Sequence, residues 1–282
     1  MPSILDGVEP QIDKNLKLGG NCKGTPPHYE HLQDCQVISR AHPSDIDGHE
    51  LVKAIYDEID SNWSKRKYTK GSSPENWRLK KNPAKNDEGQ KDNRDNKLEV
   101  RLERAIVDIS PEDWPDAGNW VNQVPTASGF VGPGSDKRRA IDLVHRLGDG
   151  VYELIELKVD VDSGTPLYAA MEILQYGALY IFARRNEQIK SAANEKRLLQ
   201  AKSIHLKVLA PCDYYTGCKL DWLEDEINSG LKRYLAAQTF DFDLDFKFEA
   251  FPPGFSLKPF PENRAIAQAV NDRGPVFRRK AL

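Results

Sequence analysis

The stretch Ile141-Asp142-Leu143-Val144-His145-Arg146-Leu147-Gly148-Asp149-Gly150-Val151-Tyr152-Glu153-Leu154-Ile155-Glu156-Leu157-Lys158-Val159 decides the fold. Apolar residues alternate from Arg139 to Arg146, a Gly148-Asp149-Gly150 turn follows, and a second strand runs from Val151 to Val159, which together make an antiparallel hairpin. With the turn centred on Asp149, Leu147 faces Val151, and counting back along both strands sets Asp142 opposite Glu156. Opposed residues have Cβ atoms about 5 Å apart, where like charges destabilise unless a cation is shared. Lys158, two residues beyond Glu156, falls on the same face, whereas Ile155, Leu157 and Val159 point to the other face and into a core. Val144 and Leu154 share the charged face, so that face is not simply solvated. Magnesium, or manganese in its place, takes oxygen ligands; Asp142, Glu156 and the Leu157 backbone carbonyl could supply them. The plainer alternative is the charged outer face of a half-buried hairpin.

Working outward, Leu98, Leu102 and Ile106 share one helical face before the hairpin, and Asn119 to Thr126 reads as a strand. Gly129, Gly132 and Gly134 are not a phosphate loop, because no Gly-Lys-Ser or Gly-Lys-Thr opens a helix there. After the hairpin, Thr165-Pro166 caps a long amphipathic helix from about 166 to 184, with Leu167, Ala170, Met171, Leu174, Ala178, Ile181 and Phe182 on its apolar face. A helix near 187 to 201, a strand at 204 to 209, a helix at 222 to 235 and a strand through Phe242, Leu244, Phe246 and Phe248 complete the series. The expected class is α/β with a mixed sheet.

Residues 1–95 read as an irregular N-terminal arm, a helix from Asp45 to Lys65 and a basic linker, 96–250 as the core, and 251–282 as a Pro-rich surface tail. The 282 residues can bury a substantial core; 39% are hydrophobic and 29% charged, as in an ordinary globular protein. A net charge of −3 supplies no general basic field, so a nucleic-acid partner must meet local patches. No apolar run approaches the roughly 18 residues of a membrane span, and the N-terminus lacks a secretory pattern, so the expected compartment is the cytoplasm, with no membrane partner. Cys22, His28, His31 and Cys35 offer the donors of a tetrahedral zinc site, but their spacing is not that of a familiar finger and Pro26-Pro27 interrupts them; the reading disfavours zinc. Cys212 and Cys218 read as reduced thiols.

Ile141-Asp142, thirteen residues, then Glu156-Leu157-Lys158 and an Ala-rich helix resemble the PD-(D/E)XK nuclease superfamily. That resemblance implies a restriction-endonuclease-like core in the order α-β-β-β-α-β and hydrolysis of phosphodiesters. It makes Asp142 and Glu156 metal ligands, Lys158 the residue that positions the attacking water, and a glutamate of the first core helix an auxiliary ligand. Glu99 and Glu103 both qualify for that last role, with Glu99 preferred. The RecB-like branch has a glutamine four residues before a tyrosine; here Glu172 stands four before Tyr176 and Gln175 is adjacent, so no branch is assigned. The Pro that often precedes the motif's Asp is replaced by Ile141.

Candidate nucleic-acid contacts are Lys137, Arg138 and Arg139 before the hairpin, Arg184 and Arg185 at the end of the long helix, and Gln175 and Tyr176 by the resemblance. Solvated ends explain the basic residues equally well. Tyr214 and Tyr215 could stack on bases but read more readily as a packed loop. The expected function is a magnesium-dependent deoxyribonuclease of the restriction, repair or phage-defence type, with DNA favoured over RNA. By analogy with superfamily members that make double-strand breaks it is a homodimer. The alternative is a non-catalytic nucleic-acid-binding or assembly module on the same fold.

Overall fold

The computed structural model describes residues 3–18, 45–67, 73–81, 98–132, 139–160, 164–191 and 197–277. The hairpin stretch forms β2 (Ala140–Gly148) and β3 (Val151–Leu157), preceded by β1 (Trp120–Pro125) and followed by β4 (Ser203–Ala210), β5 (Asp243–Ala250) and β6 (Gly274–Pro275). All six lie in one sheet in sequence order; β3–β4 and β4–β5 are parallel and the other neighbours antiparallel. The helices are α1 (Val8–Asn15), α2 (Gly48–Ser64), α3 (Leu98–Asp108), α4 (Pro166–Arg185), α5 (Glu187–Ser191), α6 (Asp221–Ala237) and α7 (Asn263–Asn271). The class is therefore mixed α/β, and α4 and α6 are the crossovers that parallel pairing requires.

The hairpin differs from the simple count near its turn. Gly148 pairs with Val151, a bulge intervenes, and Arg146 pairs with Tyr152, so Leu147 is left unpaired and 51% exposed. A two-residue loop plus one bulged residue consumes the same length as the expected three-residue turn. Deeper in the sheet the register is therefore the counted one, with Leu143 opposite Ile155 and Val144 opposite Leu154.

Each sheet face carries a core. Val144 and Leu154 join α1, α2, α4 and α6 on one side, whereas Leu143, Ile155, Leu157 and Val159 meet α3 and α7 on the other. Thr165 caps α4 as the sequence suggests, its Oγ1 accepting the Tyr168 N–H at 3.1 Å. The helix is not amphipathic, however: nearly every side chain along it is buried. Its outer side is covered by α2 and by the strap at 73–81, where Trp77 packs edge-on against Tyr180 at 5.7 Å. A helix apolar all round belongs inside a protein.

Two segments expected to be peripheral are integral. Within the supposed irregular arm, α1 packs on α2 through Val8, Ile12 and neighbouring Leu5 and Leu16, all buried. The supposed tail holds α7, whose Ile266, Ala267, Ala269 and Val270 pack toward α3, and β6, which closes on β5. Short helices amid Pro and Gly carry too few turns for their period to stand out. The helix expected at 187–201 is α5 and a separate 3-10 turn at Arg197–Gln200.

Candidate metal centre

Asp142 lies near the start of β2, Glu156 near the end of β3, and Lys158 just beyond it, where its N–H donates to Leu209 O at 2.9 Å. Asp142 Oδ2 accepts the Leu157 N–H at 2.9 Å, which ties the two hairpin strands together at the site. Lys158 Nζ is 2.6 Å from Glu156 Oε1 and 3.0 Å from Glu172 Oε2 on α4. From α3, Glu99 and Glu103 each bring one carboxylate oxygen to within 4.8 Å of one another and of Asp142. Their spacing of four residues puts both on one helical face, and the structure gathers both where the sequence left a choice.

Asp142, Glu156, Lys158 and Glu103 are all less than a tenth exposed. Burial, then the charges of Glu103 and Glu99, raise the Asp142 carboxyl well above its usual range. Burial, then Asp142 and Glu172, do the same to Glu156. Glu103 is pushed up to about 8 by burial, with Glu99 and Glu156 adding to it, although a hydrogen bond from Gln123 opposes the shift. For Lys158 burial favours the neutral amine, but Glu156, Glu172 and Asp142 together outweigh it and hold the ammonium form. Five acids, Glu99, Glu103, Asp142, Glu156 and Glu172, thus gather around the Lys158 ammonium. Hard oxygen donors with surplus negative charge in a buried place fit a divalent cation such as magnesium or manganese.

Gln123 was not singled out by sequence. Its Nε2 donates to Glu103 Oε2 at 2.6 Å from a β1 backbone with φ of 51°. A left-handed conformation is strained for a residue with a Cβ, and such strain clusters at functional sites. Nothing in a lone glutamine within a strand announces this. Glu172 entered only as a mismatch to a motif, yet it is the second acceptor for Lys158.

Of the expected nucleic-acid contacts, Arg139 adjoins the site: burial works against its cation, and nearby groups including the Glu9 and Glu172 carboxylates outweigh it. Tyr176 is buried, and its hydroxyl is held far above its ordinary pKa by burial and then by Glu156, Glu172 and Asp142. Gln175 is buried beside it, donating to Met171 O at 3.2 Å, with Oε1 unpartnered among the described residues. Arg184 is instead an internal tie: it donates to Tyr180 Oη, Ala201 O and Asp241 Oδ1 at 3.1, 2.7 and 2.7 Å, leaving it unavailable to a backbone phosphate. Arg185 is exposed and bonded to Gln238; thirteen residues of helix, about 20 Å, separate it from Glu172. Lys137, Arg138, Cys22, His28, His31 and Cys35 lie outside the described residues. Cys212 and Cys218 are free thiols. Tyr214 and Tyr215 are buried, the Tyr215 hydroxyl donating toward Val208 O and Glu249 O, which suits packing rather than base stacking.

A second buried polar row crosses the sheet away from the acids. His145 bridges Asp116 Oδ2 at 2.6 Å and Glu153 Oε2 at 2.7 Å and stacks on Trp120 at 4.0 Å. Glu153 also meets Lys207 at 3.0 Å and Arg273 at 2.6 Å, and both cations reach Glu249. The alternation of β2 and β3 predicts an inward His145 and Glu153, but not Arg273, which arrives from far along the chain.

No family model, curated protein or solved structure matches this chain. Among the described residues, no helix is long and apolar enough to cross a membrane.

Proposed function

We propose that this protein is a metal-dependent phosphodiester hydrolase acting on DNA in the cytoplasm, of the restriction, repair or defence kind and built on the PD-(D/E)XK plan. The observation that carries the reading is the convergence of Asp142, Glu156 and Lys158 from one hairpin with Glu99 and Glu103 from the helix before it. The element order across 98–210, helix, three strands, helix and strand with the short α5 added before the last strand, supports it. Glu99, Glu103 and Asp142 would hold magnesium or manganese, with Glu156 beside them. A bound ion supplies Lewis-acid stabilisation of negative charge developing on the phosphoryl oxygens.

Lys158 is an ammonium donor fixed by two carboxylates, so it orients a water or a phosphate oxygen rather than removing a proton. Glu172 and Glu156 fix where that donor points. Arg139, beside Tyr176 and Glu172, supplies positive charge for the substrate backbone near the site.

The test is incubation with linear duplex, single-stranded and circular DNA and with RNA, in magnesium, manganese or chelator, beside Asp142→Asn and Lys158→Ala variants. Metal-dependent cleavage that each variant lowers by at least about 100-fold is expected, in line with loss of one preorganised charged group. Binding of nucleic acid with no cleavage of any substrate would replace this reading with a non-catalytic binding or assembly module.

A further inference from the structure

At the turn end of the hairpin a cavity of about 410 Å³ opens between four segments distant in sequence. Its apolar wall is made by Leu79, Val121, Val144 and the ring of Tyr152. Arg78, Arg146 and Arg197 also line it, and among the described residues none of the lining is acidic. Three guanidinium groups around one cavity repel one another, so the arrangement favours an anion that can accept from several of them. Arginine donors suit phosphate oxygens in particular.

The cations are available. Arg78 pairs with Glu75 at 3.2 Å and Arg146 with Asp149 at 2.5 Å, both at exposed positions. Such exposed pairs contribute little and yield readily to a phosphate. Arg197 is exposed and makes no hydrogen bond or ion pair with the described residues. Tyr152 is 3% exposed, yet its hydroxyl has no hydrogen-bond partner among the described residues. A tyrosine hydroxyl without a protein partner beside a cavity can both donate to and accept from a ligand.

The wall is also held in a strained form. Trp77 is fully buried with φ of 62°, its N–H donating to Pro125 O at 2.7 Å, and this turn sets Arg78 and Leu79 at the cavity. Arg146 follows Asp142 by four residues on β2, about 13 Å, with buried Val144 between them. The cavity is therefore separate from the acidic cluster.

We propose that this cavity binds a nucleotide carrying a phosphate monoester, with the base against Leu79, Val121 and Tyr152 and the phosphate on Arg78, Arg146 and Arg197. Its volume lies within the roughly 300–1,000 Å³ of small-molecule sites, and the apolar wall beside a cationic rim matches the two ends of a nucleotide. The proposal stands independently of cleavage at Asp142.

The test is calorimetric titration of the full chain, in chelator and in an Asp142→Asn background, with 5′-AMP, adenosine and inorganic phosphate. A short single strand of DNA, with and without a 5′-phosphate, completes the set. AMP or the phosphorylated strand is expected to bind at least about tenfold tighter than its unphosphorylated counterpart and than phosphate. Arg146→Ala and Arg197→Ala should each weaken that binding about tenfold with unchanged melting temperature. Tighter binding of AMP assigns a free nucleotide, and tighter binding of the phosphorylated strand assigns a strand end. No preference for either phosphorylated probe, or binding indifferent to both arginine substitutions, overturns the proposal. Because these titrations involve no turnover, they succeed or fail apart from the nuclease reading.

Discussion

Lys158 Nζ lies 2.6 Å from Glu156 Oε1, two residues back along the chain, and both side chains are about 95% buried. Removing the ammonium in Lys158→Ala leaves Glu156 and Glu172 facing Asp142 without their counter-charge. Breaking a buried pair costs about 3–5 kcal/mol, so the variant should melt well below the parent in chelator. Magnesium should restore more stability to the variant than it adds to the parent, because an added cation replaces the missing charge. Equal magnesium-induced shifts in thermal melts of the two proteins would count against a cation site here.

Glu103 is held against Asp142 and Glu99, and its Oε2 accepts a hydrogen bond from Gln123. Glu103→Gln keeps an oxygen for the Gln123 amide and removes one charge from the crowd. The expected outcome in chelator at pH 8 is a more stable protein, by on the order of 1 kcal/mol. The same variant should gain less from magnesium than the parent does. Chemical denaturation with and without magnesium checks both signs.

Glu153 is pulled down to about 2: burial opposes ionisation, but His145, Arg273 and Lys207 outweigh it. Its folded-state pKa is below the ordinary 4.5 of a glutamate, so its contribution is present above about pH 4.5 and is lost as pH falls toward 2. That contribution is on the order of 2–3 kcal/mol. Glu153→Gln should lower stability at pH 7, and the gap from the parent should narrow steadily between pH 4.5 and 2. A gap that stays constant through that window would show that Glu153 does not supply the acid sensitivity.

Gly48 at the start of α2 and Gly230 within α6 let those helices cross in backbone contact. A Cβ on Gly230 would stand 2.2 Å from Gly48 O, and one on Gly48 would stand 1.8 Å from Glu226 O. Neither obstacle is a side chain that can turn away. Gly230→Ala is therefore expected to destabilise by about 1–3 kcal/mol or more, despite the higher helix propensity of alanine. An unchanged or raised denaturation midpoint would contradict the close crossing.

The hairpin was legible because its period of two, its Gly-rich turn and its charged positions all depend on neighbours in the chain. Leu143 meets Ile155 as counted, even though the bulge at Leu147 reaches that register by another route. The α3 face was legible too, and with it Glu99 and Glu103. Less legible were α1 and α7: each is short, and each is stabilised by burying Ile12 or Ile266 against distant elements rather than by local propensity.

Local order along the chain was enough to define a mixed α/β protein with Asp142, Glu156 and Lys158 on adjacent strand positions, because strand alternation is a property of the backbone. Only the tertiary structure decided that Glu172 shares Lys158, that Gln123 reaches Glu103, and that Arg184 is an internal tie. It alone gathered Arg78, Arg146 and Arg197 around one cavity. Those relationships join residues from separate elements, and their distances are set by how helices pack on the sheet, which no local pattern encodes.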